Sequence, residues 1–289
     1  MTASYEDRLV RVMDHIHANP DGDLSLDALA DVAAMSRFHW HRVFRAMTGE
    51  TCAQAVRRIR MHLAACALAC SDAPVEQIAR SVGYPDPDSF ARTFAARYGH
   101  SPTRFRHAAP FRPKLDPLRK DGPMTTGNSI SPVDPYPIEL RAAPARRLAG
   151  LPHLGSYFRI SEAYSRLGPI LSARGLWPQV GPMVALYYDD ISSVPEAELR
   201  SFAAVQIPEE MPLPDGLQQE RLAAADTVVL TFKGPYAGLH AAYQYIYQSW
   251  LPASGREPLD QPPYEVYLNS PMDTAPDDLL TEISIALKP

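Results

Sequence analysis

Residues 24–49 read LSLDALADVAAMSRFHWHRVFRAMTG, and residues 75–99 read VEQIARSVGYPDPDSFARTFAARYG. In each stretch apolar residues recur at three- and four-residue spacing, stop at a short turn of small residues, and resume. Each therefore predicts two helices joined by a turn. The two stretches also match each other. Ala30 and Ala33 echo Ala79 and Gly83, and Arg42-Val43-Phe44 echoes Arg92-Thr93-Phe94. A tandem pair of such units offers two second helices of the kind that enter a DNA major groove.

The surroundings agree with an all-helical first half. Ser25 is placed to cap a helix, Asp86-Pro87 reads as a cap followed by proline at the first helical position, and Gly49 and Gly99 end helices. No strand pattern interrupts residues 5–108. Residues 109–135 are rich in Pro, Gly, Ser and Thr without periodicity, which predicts a linker. From 136 onward short apolar or alternating runs alternate with helical ones. PMVALYYDD, LRSFAAVQI, PYEVYLNSP and LTEISIAL read as strands, and the two parts of this half overlay at an offset of about 80 residues. Gly155-Ser156-Tyr157 then matches Gly234-Pro235-Tyr236, and Ala185-Leu186-Tyr187 matches Glu265-Val266-Tyr267. The expected fold class is a helical domain of two helix-turn-helix units (1–108), a linker (109–135), and a duplicated βαββ domain on one antiparallel sheet (136–289).

The chain has 289 residues, 46% hydrophobic and 21% charged, the composition of an ordinary globular protein. It has no apolar run long enough to span a membrane and no basic-then-apolar leader, so a cytoplasmic protein is expected. Its three cysteines make no disulfide framework. Cys66 and Cys70, one helical turn apart, read as small packed residues, with a metal or redox pair as the alternative. The net charge of −5 is unevenly spread: residues 1–113 hold 14 arginines, no lysine and 12 carboxylates, a balance of +2 against −7 for the rest. Two jobs in one chain are implied.

DALADVAAMSRFHWHRVFRAMTGE together with EQIARSVGYPDPDSFARTFAARYGHSPTRFR resembles the DNA-binding domain of AraC-type transcriptional regulators. The resemblance implies two recognition helices in successive major-groove segments of promoter DNA, held apart by a spacer helix at 53–70 with Arg57, Arg58 and Arg60 near phosphates. His39 and His41 point to different sides of a helix, whereas metal pairs sit four apart, so no metal site is expected. Phe38, His41, Arg42 and Arg45 share one face, with Arg37 ahead of them. Arginine binds guanine bidentately, so these residues are candidate readers, an ordinary solvated face being the alternative. Ser89 and Arg92 are the candidates in the second unit, where the carboxylate of Asp88 departs from the neutral side chains common in relatives.

The second half carries no GxGxxG, P-loop, HExxH or CxxC pattern, hence no cofactor is expected. It carries tyrosines beside carboxylates. Alternation puts Glu265 and Tyr267 on one strand face, and Glu282 with Ser284 opposite Ile283 and Ile285. If helices covered the Ile and Val face, both acids would look into one aromatic concavity suited to organic cations. KGPY, YEVYLNSP and APDDLLTEI resemble the GyrI-like small-molecule-binding domain, in which a pocket glutamate binds cationic or hydrophobic aromatic ligands. Glu265 matches that position best and Glu282 second, with Tyr267, Tyr187, Trp177 and Tyr236 as walls. The expectation is a ligand-responsive transcriptional regulator that meets DNA, an effector and RNA polymerase, not an enzyme. Its rival is a hydrolase of strained-ring, DNA-alkylating compounds fused to an autoregulatory DNA-binding domain.

Overall fold

The computed structural model describes residues 4–107, 136–191, 193–271 and 273–289. The stretch 109–135, expected to be a linker, lies outside the described residues. The chain divides into two units, Met1–Ala34 with Met47–Thr126, and Met35–Ala46 with Gly127–Pro289. Among the described residues no helix is long and apolar enough to cross a membrane.

The first unit is helical: α1 (Tyr5–Ala18), α2 (Leu26–Ala33), the end of α3 (Arg37–Thr48), α4 (Cys52–Cys70), α5 (Val75–Ser81), α6 (Pro87–Tyr98) and α7 (Pro102–His107). Local chemistry sets the boundaries. Ser25 accepts from the Ala28 amide, Thr51 and Gln54 close a capping box, and Asp86 accepts from the Asp88 and Ser89 amides ahead of Pro87. Met61, Leu68, Ile78, Phe90, Phe94 and Phe105 bury the apolar faces of α4 to α7 against one another. Gly83, at φ +77°, has the Arg60 guanidinium 2.6 Å from where a Cβ would stand. Only glycine fits that position.

The second unit is an eight-stranded, wholly antiparallel sheet in the order β1-β6-β8-β7-β3-β4-β2-β5. Its strands are β1 (Ile138–Ala143), β2 (Arg146–Leu154), β3 (Met183–Tyr187), β4 (Arg200–Ile207), β5 (Gln218–Leu222), β6 (Ala225–Lys233), β7 (Tyr264–Tyr267) and β8 (Leu280–Ala286). Helix α8 (Ser161–Ala173) separates β2 from β3. The run α9 (Leu239–Tyr245), a π turn (Ile246–Trp250) and α10 (Leu251–Ser254) separates β6 from β7. Pro252 has no N–H to continue α-helical bonding, and the Leu251 amide already reaches back five residues to Ile246.

Each repeat thus has a leading strand that the expected βαββ scheme lacks. β1 pairs with β6 of the second repeat and β5 with β2 of the first. IELRAA and QQERL are too polar to announce themselves as strands, since an edge strand buries little. The repeats meet where β3 pairs with β7, and there Ala185 stands directly opposite Glu265. One face of the sheet, with Ala149, Leu151 and Val205, packs with Leu167 and Leu171 of α8. The other carries Leu148, Val184, Leu186, Phe202, Tyr264 and Val266.

Candidate functional site

Glu265 is 3% exposed and accepts three tyrosine hydroxyls. Tyr267 donates at 3.0 Å, Tyr243 at 3.1 Å and Tyr187 at 3.3 Å, and the Tyr187 and Tyr267 hydroxyls are 3.0 Å apart. Tyr157 packs edge-on against Tyr187, while Tyr236 and Tyr164 pack edge-on against Tyr267. Burial pushes the Glu265 carboxyl up from 4.5 to about 7, and the three hydroxyls only partly oppose that shift. Phenols donate hydrogen bonds but bring no charge, so the acid is solvated without being neutralised. An organic cation between aromatic faces would supply the missing charge.

The duplication explains the geometry. Tyr157, Tyr164 and Tyr187 of the first repeat correspond to Tyr236, Tyr243 and Tyr267 of the second. Because the repeats meet at Ala185 and Glu265, both sets converge on one point. Tyr157, Tyr164 and Tyr243 were not among the expected site residues. Their equivalence across the repeat is the signal that identifies them.

Three expectations for this site fail. β7 pairs Val266 with Glu282 and Glu265 with Ile283, and residues directly opposite in a ladder share a face. The two acids therefore lie on opposite faces, and Glu282 is held by Arg141 at 3.1 Å. The face bearing Glu265 is also the one that helices cover, because Tyr164 of α8 and Tyr243 of α9 stand over it. Trp177 is 44% exposed and donates to Ser172, outside the tyrosine cluster. A cleft of about 430 Å³ in the first unit, lined by Asp23, Arg57, Arg60 and Tyr84, includes none of the expected ligand residues.

The expected DNA readers fall into two classes. On α6, Arg92 is exposed and Ser89 partly so. On α3 the expected open face is not open. His41 is 3% exposed and kept neutral by burial, with the Arg42 charge adding to the effect. Arg42 donates to the Phe38, Asp189 and Tyr187 carbonyls at 2.6, 2.9 and 3.4 Å. Phe38 lies 6.5 Å from the Tyr188 ring. Arg37 is exposed and stacks over Phe38, and Arg45 is partly exposed. Trp40, buried to 1%, packs edge-on against Phe44. Of the spacer-helix arginines, Arg57 is exposed, but Arg58 is paired with Glu50 at 2.6 Å and Arg60 donates to the Pro20 carbonyl. Cys66 Sγ lies 3.7 Å from His62 Nε2.

Residues 136–288 match the GyrI-like small molecule binding domain, over half of the chain, and residues 29–108 match a helix-turn-helix domain. The chain is 28% identical over 104 residues to the regulatory protein SoxS of Salmonella typhimurium, covering 36% of this chain and 97% of that protein. It is 30% identical over 106 residues to the transcriptional regulator AlkR of Acinetobacter baylyi, covering 37% of this chain and 35% of the relative. The crystal structure of the EcmrR C-terminal domain is 19% identical, with a TM-score of 0.44, covering 54% of this chain and 99% of that one. The chain belongs to the GyrI-like small-molecule-binding family, and it is an AraC-type DNA-binding regulator that carries that ligand-binding domain as its C-terminal half.

Proposed function

We propose that residues 1–108 read promoter DNA, that 109–135 link them to 136–289, and that the tyrosine cluster around Glu265 senses a lipophilic organic cation. The observation that carries this reading is a buried carboxylate satisfied by three phenols and lacking a positive partner among its principal electrostatic influences. The protein works in the cytoplasm and hands its signal to RNA polymerase. It senses its ligand without turning it over, since the carboxylate that would have to act as a base already accepts from three tyrosine hydroxyls.

The test is calorimetry of the full chain with tetraphenylphosphonium against neutral triphenylphosphine oxide. Glu265→Gln should cost the cation about 2–5 kcal/mol and the neutral compound far less. Equal losses would make the acid structural, and product formation in the same mixtures would make the protein an enzyme. For DNA, Arg92→Ala should weaken binding to a selected duplex by about 1–3 kcal/mol and relax base preference locally. Binding indistinguishable from wild type would remove Arg92 from the readers.

A further inference from the structure

We propose that α3 is a latch: its reading face is held by the sheet unit while the Glu265 cluster is empty, and a cation entering that cluster releases it to DNA. The inference rests on the DNA-reading and ligand-sensing roles proposed above and adds how one controls the other.

Residues 35–46 belong to the sheet unit, and the contacts that keep them there are polar and specific. Ser36 Oγ donates to Asp260 at 2.9 Å. His39 is fully buried, with Nε2 3.0 Å from the Gln261 carbonyl and Nδ1 2.7 Å from the Tyr247 hydroxyl. A carbonyl can only accept, so Nε2 carries the proton and Tyr247 donates to Nδ1. Arg42 spends its donors on three carbonyls and lies over the Tyr247 ring, its Cζ 5.9 Å from the centroid. A guanidinium so engaged cannot also form a bidentate pair with guanine. Holding α3 and reading DNA with Arg42 are therefore mutually exclusive.

The same residues that anchor α3 reach into the cluster. Tyr243, which donates to Glu265, and Tyr247, which holds His39, sit one turn apart on a single helical run, where the π turn begins. Tyr187 donates its hydroxyl to Glu265 and offers its carbonyl to Arg42. Tyr157 packs on Tyr187, donates to the Arg200 carbonyl, and accepts from the amide of Asp189, whose carbonyl holds Arg42. A ring inserted beside Glu265 must displace Tyr243 from the carboxylate, and the displaced helix carries Tyr247 with it. A ligand that fits the displaced arrangement better shifts the population toward free α3 by that difference in affinity.

The experiment selects duplexes from a randomised pool with the full chain, ligand-free, and in parallel with the Tyr247→Phe variant. Wild type should select one half-site, the one read by α6. Tyr247→Phe leaves buried His39 short of a partner, so it should add a second half-site about one helical turn away and bind it about tenfold more tightly. Arg42→Ala in the Tyr247→Phe background should abolish the gain, and tetraphenylphosphonium should reproduce it in wild type. Asp260→Ala, at an exposed position, serves as the second variant should Tyr247→Phe alter thermal unfolding. Identical sites and affinities for wild type and both variants would overturn the latch, as would a gain that survives Arg42→Ala. Variants that gain while the cation does nothing would overturn the link to the Glu265 cluster. No selected site for any chain would overturn the DNA-reading role and the latch with it.

Discussion

The two repeats of the sheet unit differ at one position that matters more than the rest. The first repeat has Ala185 where the second has Glu265, and the pairing of β3 with β7 sets these two side by side at the seam. Around them the repeats stay alike: a tyrosine from the turn after the long strand, one from the helix, and one from the short strand. Duplication alone would give a symmetric cage. Two carboxylates facing each other across a ladder inside a buried cluster would repel, with little solvent to screen them. The single acid beside a small residue is what such a seam tolerates, and it makes the cage polar and directional. The duplicated frame thus carries an acid on one side of its seam only.

Restoring the symmetry is the largest perturbation. Ala185→Glu should cost about 3–5 kcal/mol at pH 8, the scale of an uncompensated buried charge, and much less at pH 5, where the pair can hold protons. Thermal unfolding at the two pH values measures it. A variant equally stable at both would mean the two side chains do not meet.

Removing the one acid tests the other side of the comparison through pH. The folded chain holds the Glu265 proton up to about 7, whereas the unfolded chain releases it near 4.5. Between these values the native state binds more protons, so stability falls as pH rises through the window, by an amount on the order of 3 kcal/mol. Glu265→Gln should flatten that slope in urea titrations from pH 5 to 8. A slope unchanged in the variant would assign it to another group.

The equivalent tyrosines give the smallest and finest contrast. Tyr243→Phe removes a hydroxyl from the charged acid, whereas Tyr164→Phe removes one from the Val184 carbonyl. Hydrogen bonds to charged groups are worth about 1.5–3 kcal/mol and neutral ones about 1 kcal/mol. The difference should appear at pH 8, where Glu265 is ionised, and vanish near pH 5. Equal losses at every pH would place the two hydroxyls in equivalent surroundings and the acid elsewhere.

Much of this was legible before any coordinates. The tandem helix-turn-helix spacing, the caps at Ser25 and Asp86, and the repeat that matches Tyr187 with Tyr267 all follow from local periodicity and from residues whose conformational preferences act over a few positions. Glu265 could be singled out because strand alternation fixes which neighbours share its face. Three things were beyond that reach. The register of β7 against β8 sets Glu265 opposite Ile283 and Glu282 opposite Val266, which parts the two acids and puts Glu265, not Glu282, under the helices. The leading strands β1 and β5 lie at the sheet's edges and bury too little to leave an apolar pattern. The fate of Phe38, His41 and Arg42 was the third. Amphipathic spacing states that a helix has a distinct face but not what will meet it, and the partners that meet Arg42 on this one are the carbonyls of Tyr187 and Asp189, groups that every residue has. Backbone acceptors carry no residue signature, so only the tertiary structure could decide that His41 and Arg42 of α3 are covered while Arg92 of α6 stands exposed.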